Sequence, residues 1–223
     1  MSTAERFYGE ATHSFTVRSD TAVSQSHLPS VRPMSEHVLL IPGFLSPDMY
    51  LRPLGNRLER EGFHTHDMQN SVPINLIVGV AAHAERRLEQ IREETGEAAS
   101  VATHSAGGWI GARIKERRPD LINRLVAIAS PLITAKIPEG DHAVSIFTPL
   151  DTTVPWWMSV NRTFSRHYGV PWSTHLGIAG RRDVGKIVGE ELSSDYQYPL
   201  DAGAEIIPIT RNRLATQGLV FAA

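Results

Sequence analysis

The nine residues Val101-Ala102-Thr103-His104-Ser105-Ala106-Gly107-Gly108-Trp109 constrain the fold of this chain more than any other stretch. A short apolar run reaches Thr103, Ser105 follows between small residues, and a helical pattern begins at once with Trp109, Ile110 and Ala112. The pattern reads as a strand that passes through a tight turn into a helix. Such a turn strains the backbone of its serine, lifts the hydroxyl clear of the sheet and aims the first helical N–H groups at whatever the hydroxyl attacks. A bulky residue two positions before or after would crowd strand against helix. Gly107 meets that demand fully and Thr103 only in part.

Similar alternations recur along the chain. His37-Val38-Leu39-Leu40-Ile41 is an apolar run of the type buried on both faces of a parallel sheet, and it breaks at Pro42-Gly43. Leu51, Leu54 and Leu58 then keep helical spacing up to Glu61-Gly62, and residues 63–67 form a second strand. Residues 73–94 follow as a long amphipathic helix, with Ile77, Ala81, Ala84, Leu88 and Ile91 on its apolar stripe. Further strands are expected at residues 98–103, 125–129, 143–147 and, briefly, 170–173. A last helix carries Val184, Ile187, Val188 and Leu192. The charge run Lys115-Glu116-Arg117-Arg118 before Pro119 reads as a solvated helix end. Strands alternating with helices predict an α/β fold, a single domain with a mostly parallel sheet and helices on both faces.

Thr103-His104-Ser105-Ala106-Gly107 resembles the nucleophile elbow of the α/β-hydrolase superfamily, with Thr103 in place of the usual first glycine. The resemblance covers about residues 37–193 and implies a compact α/β-hydrolase fold with a lipase-like or esterase-like serine hydrolase activity. It implies that Ser105 is the nucleophile and that the backbone N–H groups of Phe44, after the Pro42-Gly43 turn, and Ala106 form an oxyanion hole. Asp151-Thr152-Thr153-Val154-Pro155 looks like the segment around the superfamily's triad acid, which points to Asp151. Asp67, after an earlier strand, is the reserve. His175, followed by Leu176-Gly177-Ile178, resembles the triad base of small bacterial lipases. The order Ser105, Asp151, His175 is the one in which the superfamily presents its triad. His104 is expected to point away from the nucleophile, because neighbouring side chains on a strand-like path diverge.

The mechanism implied is acyl transfer through an acyl-enzyme, with no metal or organic cofactor. A serine rather than a carboxylate at the elbow separates the chain from dehalogenases. Carboxylic ester hydrolysis is favoured, with thioester hydrolysis or acyl transfer by the same triad as alternatives. A non-catalytic binding protein on the same fold is the alternative from a different class, since fold does not impose activity. Trp156, Trp157, Met158 and Trp172 either line an apolar substrate pocket or pack a small helix against the sheet. His64 and His66, two apart and beside Asp67, invite a metal reading, but two histidines are few for zinc, and a strand-end pair is the plainer account.

Composition narrows the partners. The chain has 223 residues, 41% of them hydrophobic, enough for one substantial core and few for two. With 22 basic and 24 acidic residues its net charge is −2, which favours neither nucleic acid nor a strongly anionic ligand. The expected partner is a small-molecule or lipid-like acyl ester. No cysteine is present, which excludes disulfides and thiolate chemistry. No run is apolar for long enough to span a membrane, and the charged first twenty residues lack a secretory pattern, so a cytoplasmic location is expected. Residues 1–35 read as a surface arm or peripheral extension. Residues 36–223 read as the hydrolase domain, ending in a tail from about 193 that carries the apolar patch Ile206-Ile207-Pro208-Ile209. Oligomeric state is not legible.

Overall fold

The computed structural model describes residues 37–69, 77–193 and 205–208. The apolar runs become strands β1 (His37–Ile41), β2 (His64–His66), β3 (Ala99–His104), β4 (Ile122–Ile128), β5 (His142–Phe147), β6 (Arg166–Gly169) and β7 (Glu205–Pro208). All pair in parallel in one seven-stranded sheet of order β2-β1-β3-β4-β5-β6-β7. A parallel sheet covered on both faces needs strands that are apolar on both faces, and β3 is buried along its whole length.

Among the described residues four α-helices supply the cover: α1 (Arg52–Arg60), α2 (Ile77–Thr95), α3 (Ala106–Arg117) and α4 (Arg182–Ser193). The two-residue period of the strands sorts the core into two layers. Val38, Leu40, Ala102, Val126, Val144 and Ile146 meet Leu54 and Leu58 of α1 and Val184, Val188 and Leu192 of α4. On the other face Leu39, Ile41, Val101, Leu125 and Ala127 meet Leu88 and Ile91 of α2 and Ile110 and Ile114 of α3. Each fully buried Val, Leu or Ile contributes about 1.5–3 kcal/mol against conformational entropy.

Strand order also locates the crevice. From β1 the chain steps to β2 on one side and then returns past β1 to β3 on the other. The connections after β1 and β3 therefore diverge, and such a reversal opens a cleft beyond the carboxyl ends of those two strands. Pro42-Gly43 and Ser105 lie there.

Two expectations change. The short strand lies at Arg166–Gly169, four residues before the run at 170–173. His167 and Tyr168 are buried in it because His167 Nε2 donates to the Asn161 carbonyl at 3.0 Å and the Tyr168 hydroxyl donates to Glu191. Trp172, whose bulk suggests a strand, has φ 56° and is 77% exposed on a turn. The end of α3 is not wholly solvated either. Lys115 is buried, its Nζ donating to the carbonyls of Ile122 at 3.0 Å and Asn123 at 3.2 Å and pairing with Asp141 at 3.1 Å. Those acceptors compensate the desolvation of its charge, which still lowers its pKa. The arm at residues 1–35 lies outside the described residues, as does the tail except for β7.

Candidate active site

Ser105 sits between β3 and α3 with φ 53° and ψ −129°, a backbone conformation that a side-chain-bearing residue adopts at a cost of roughly 1–3 kcal/mol. Close packing imposes it. A Cβ on Gly107 would stand 2.3 Å from the Ile41 carbonyl oxygen, and one on Gly108 would stand 2.1 Å from Ser130 Oγ. Gly107 thus lets α3 start hard against the end of β1, and Gly108 lets it start hard against the end of β4. The Ser105 N–H is fixed by the Ile128 carbonyl at 2.9 Å. Thr103 fits in the first elbow position because its hydroxyl donates to the Val126 carbonyl at 3.2 Å, while its methyl faces Gly111, which has no side chain to meet it.

His175 lies on the connection from β6 to α4, preceded by Ser173-Thr174, and its ring is nearly buried. Its Nε2 is 3.0 Å from Ser105 Oγ and its Nδ1 is 2.7 Å from Asp151 Oδ2. A carboxylate only accepts, so Nδ1 carries the proton and Nε2 presents a lone pair to the serine hydroxyl. Asp151, four residues past β5, is held in turn. Its Oδ1 accepts from the N–H groups of Thr153 at 2.9 Å and Val154 at 2.8 Å, leaving Oδ2 for the histidine. Thr148 Oγ1 donates to the Ser173 carbonyl at 3.2 Å, tying the acid's loop to the base's. This chain of groups can transfer a proton from a hydroxyl to an imidazole whose positive charge the carboxylate stabilises.

The positions of the other expected residues differ in what they bring. Ala106 opens α3, so its N–H is a first-turn donor without an intrahelical acceptor. Phe44 follows Gly43, whose Cα faces the nucleophile so closely that a Cβ there would lie 3.0 Å from Ser105 Cβ. Asp67 stands apart at the end of β2, its carbonyl beside Arg87. Trp156 and Met158 belong to the short 3-10 helix Trp156–Ser159, with Trp156 stacked on Phe147 at 6.0 Å and Trp157 edge-on to Trp156 at 6.1 Å. Trp172 lines a cleft of about 480 Å³ together with Leu150, Ser173, Thr174, Gly177 and Arg181. His66 contacts His37 at 3.0 Å, and no group of three or more metal-ligating side chains occurs among the described residues. No helix among them is long and apolar enough to cross a membrane.

No protein-family model matches the sequence, and no curated protein does. Solved structures do match. A CIB-like hydrolase from Thermoplasma acidophilum is similar with a TM-score of 0.53 at 14% identity, over 75% of this chain and 89% of that one. An α/β hydrolase from the sediment metagenome of the Mar Chica lagoon has a TM-score of 0.54 at 12% identity, over 70% and 90%. The monoacylglycerol lipase of Paleococcus ferrophilus has a TM-score of 0.57 at 15% identity, over 70% and 93%. The chain has the α/β-hydrolase fold.

Within this α/β-hydrolase fold, the large exposed apolar side chains among the described residues all belong to connections that follow strands at the edge that carries Ser105. Phe44, Leu45 and Met49 follow β1, and Ile133 follows β4. Leu150, Trp156 and Trp157 follow β5, and Trp172 and Leu176 follow β6. Monomers seldom gather such residues without a use for them. Two residues beside the triad carry more than their sequence positions suggest. His104, read from its place beside the nucleophile as pointing away from it, packs its ring 4.7 Å from the ring of His175, and Tyr50 packs 4.9 Å from His104. A histidine next to a serine gives no sign of this, because the contact spans 71 positions of sequence.

Proposed function

We propose that the protein is a serine hydrolase that cleaves carboxylic esters through an acyl-enzyme. The supporting observation is the hydrogen-bonded series Ser105 Oγ, His175 Nε2, His175 Nδ1 and Asp151 Oδ2, at 3.0 and 2.7 Å, on a strained strand-to-helix turn. In this reading His175 takes the Ser105 proton as the oxygen attacks the ester carbonyl, and Asp151 stabilises the imidazolium. The N–H groups of Phe44 and Ala106 receive the oxyanion, each worth about 3 kcal/mol in the transition state. His175 then gives its proton to the departing alcohol, and water, activated by the same histidine, releases the acid.

The apolar rim supports an ester with a hydrocarbon acyl or alcohol part, and the cleft lined by Trp172, Leu150, Ser173 and Thr174 is a shaped space for it on the loop that carries His175. The lipase among the structural neighbours is in keeping with that substrate class. Hydrolysis of p-nitrophenyl esters from acetate to palmitate, by the parent and by Ser105→Ala and His175→Ala, tests the proposal. Turnover that both variants abolish is the expected result. Turnover that survives in Ser105→Ala would refute it.

A further inference from the structure

We infer that Tyr50 and His104 are positioning residues that clamp the backbone of His175 and so set its distance from Ser105. The kinetic consequence rests on the serine-hydrolase reading above, whereas the clamp itself is a matter of geometry.

His175 needs such a clamp because of where it lies. It belongs to a loop whose neighbouring residues Thr174 and Leu176 are exposed, so neither strand nor helix fixes it. Two side chains reach the loop from below. His104 Nε2 donates to the carbonyl of His175 at 2.8 Å, and the Tyr50 hydroxyl donates to the next carbonyl, that of Leu176, at 2.6 Å. The rings of Tyr50, His104 and His175 pack in sequence with centroids 4.9 and 4.7 Å apart, tilted by 49° and 48°. His104 is the last residue of β3 and Ser105 the first beyond it. One strand end therefore positions the nucleophile through the main chain and the base through the adjoining side chain.

The chemistry of His104 fits a donor kept for this purpose. A carbonyl can only accept, so the His104 proton is on Nε2, and its buried Nδ1 has no hydrogen-bond partner among the described residues. A leucine of similar bulk would avoid the desolvation cost of that unpaired nitrogen. Burial lowers the His104 pKa to about 4, so the ring stays neutral and places no charge against an imidazolium forming at His175. Half-burial raises the Tyr50 hydroxyl to about 12, so it remains a donor.

The test uses Tyr50→Phe, His104→Leu and His104→Gln in the full chain. Thermal melts establish whether each is folded, and Tyr50→Phe, which deletes one oxygen, guards against loss of the fold in the others. With a p-nitrophenyl ester, kcat should fall about tenfold to a hundredfold in Tyr50→Phe and His104→Leu with KM within about twofold, the mark of a misplaced catalytic group. His104→Gln retains an N–H donor and should recover kcat to within about threefold of the parent. A second readout needs no turnover: the low-field proton resonance of His175 Nδ1–H, identified by its absence in His175→Gln. It should broaden or vanish in Tyr50→Phe and His104→Leu and persist in His104→Gln. Variants that melt earlier yet keep the parent's kcat and resonance would overturn the clamp. A parent that neither turns over nor reacts with a phosphonate would sink the hydrolase reading instead, and the resonance would still decide the clamp.

Discussion

Gly107 stands so close to Ile41 that a Cβ added to it would lie 2.3 Å from the Ile41 carbonyl oxygen and 2.7 Å from that of Pro42. Both contacts are with backbone, which cannot rotate aside. Gly107→Ala should therefore cost about 3 kcal/mol, at the upper end for overpacking, and should displace the Ser105 turn. Urea denaturation checks the first, and ester turnover the second. A variant with the parent's midpoint would contradict this account of the elbow.

Thr103 and Gly111 form a compensating pair. A Cβ at position 111 would meet Thr103 Cγ2 at 3.3 Å and Leu125 Cδ1 at 3.0 Å. Gly111→Ala gains about 1 kcal/mol of helix propensity but should lose more to crowding, for a net destabilisation of about 1 kcal/mol. Thr103→Ser deletes the methyl while keeping the hydroxyl that reaches Val126. In that background Gly111→Ala should be near neutral, and a double-mutant cycle should show coupling of about 0.5–1 kcal/mol. Strict additivity would argue against the pairing.

Much of this architecture is legible in the sequence because burial on both faces leaves an apolar signature. The runs at β1, β3, β4 and β5 and the stripes of α1, α2 and α4 announce themselves by period alone. β6 does not, because His167 and Tyr168 are buried through polar contacts that no apolar pattern signals, with the Asn161 carbonyl and with Glu191. Lys115 escapes notice for the same reason, its acceptors being carbonyls on β4. The candidate site divides likewise. Ser105, Asp151 and His175 are conspicuous through local motifs and strand-end positions. Tyr50 and His104 matter only through contacts with a loop far along the chain.

Stability should fall as pH drops from about 6.5 to about 4. Burial holds His104 and His167 at about 4 in the folded protein, below the ordinary histidine value near 6.5. In that window the unfolded chain binds protons that the folded chain refuses, so protonation favours unfolding. The native state thus loses stability as pH falls through the unfolded value, by up to roughly 3 kcal/mol for each ring. Urea midpoints at pH 7.5, 6, 5 and 4.5 measure the slope, which His104→Gln should flatten. A midpoint constant across the window would contradict the burial of these rings in neutral form.

Asp151→Asn should keep the fold and lose the chemistry. The side-chain oxygen that accepts from Thr153 and Val154 survives in asparagine. The acceptor that fixes the His175 tautomer does not. A fall in kcat of about 10⁴-fold is expected, with a melting temperature close to the parent's. A loss of less than about tenfold would remove Asp151 from the proposed mechanism.

Trp172→Ser separates acyl recognition from chemistry. Trp172 is 77% exposed and lines the cleft of about 480 Å³ beside His175. The substitution should leave the melting temperature unchanged and raise KM for octanoate and longer esters by about tenfold, while acetate hydrolysis stays within about twofold. Equal effects on short and long esters would place the acyl chain elsewhere.

Reaction of the folded parent with a fluorophosphonate, followed by peptide mass mapping, tests the central claim most directly. The proposed mechanism predicts one adduct, on Ser105, absent from Ser105→Ala and strongly slowed in His175→Ala. An unlabelled parent, or an adduct on another serine that persists in Ser105→Ala, would contradict it.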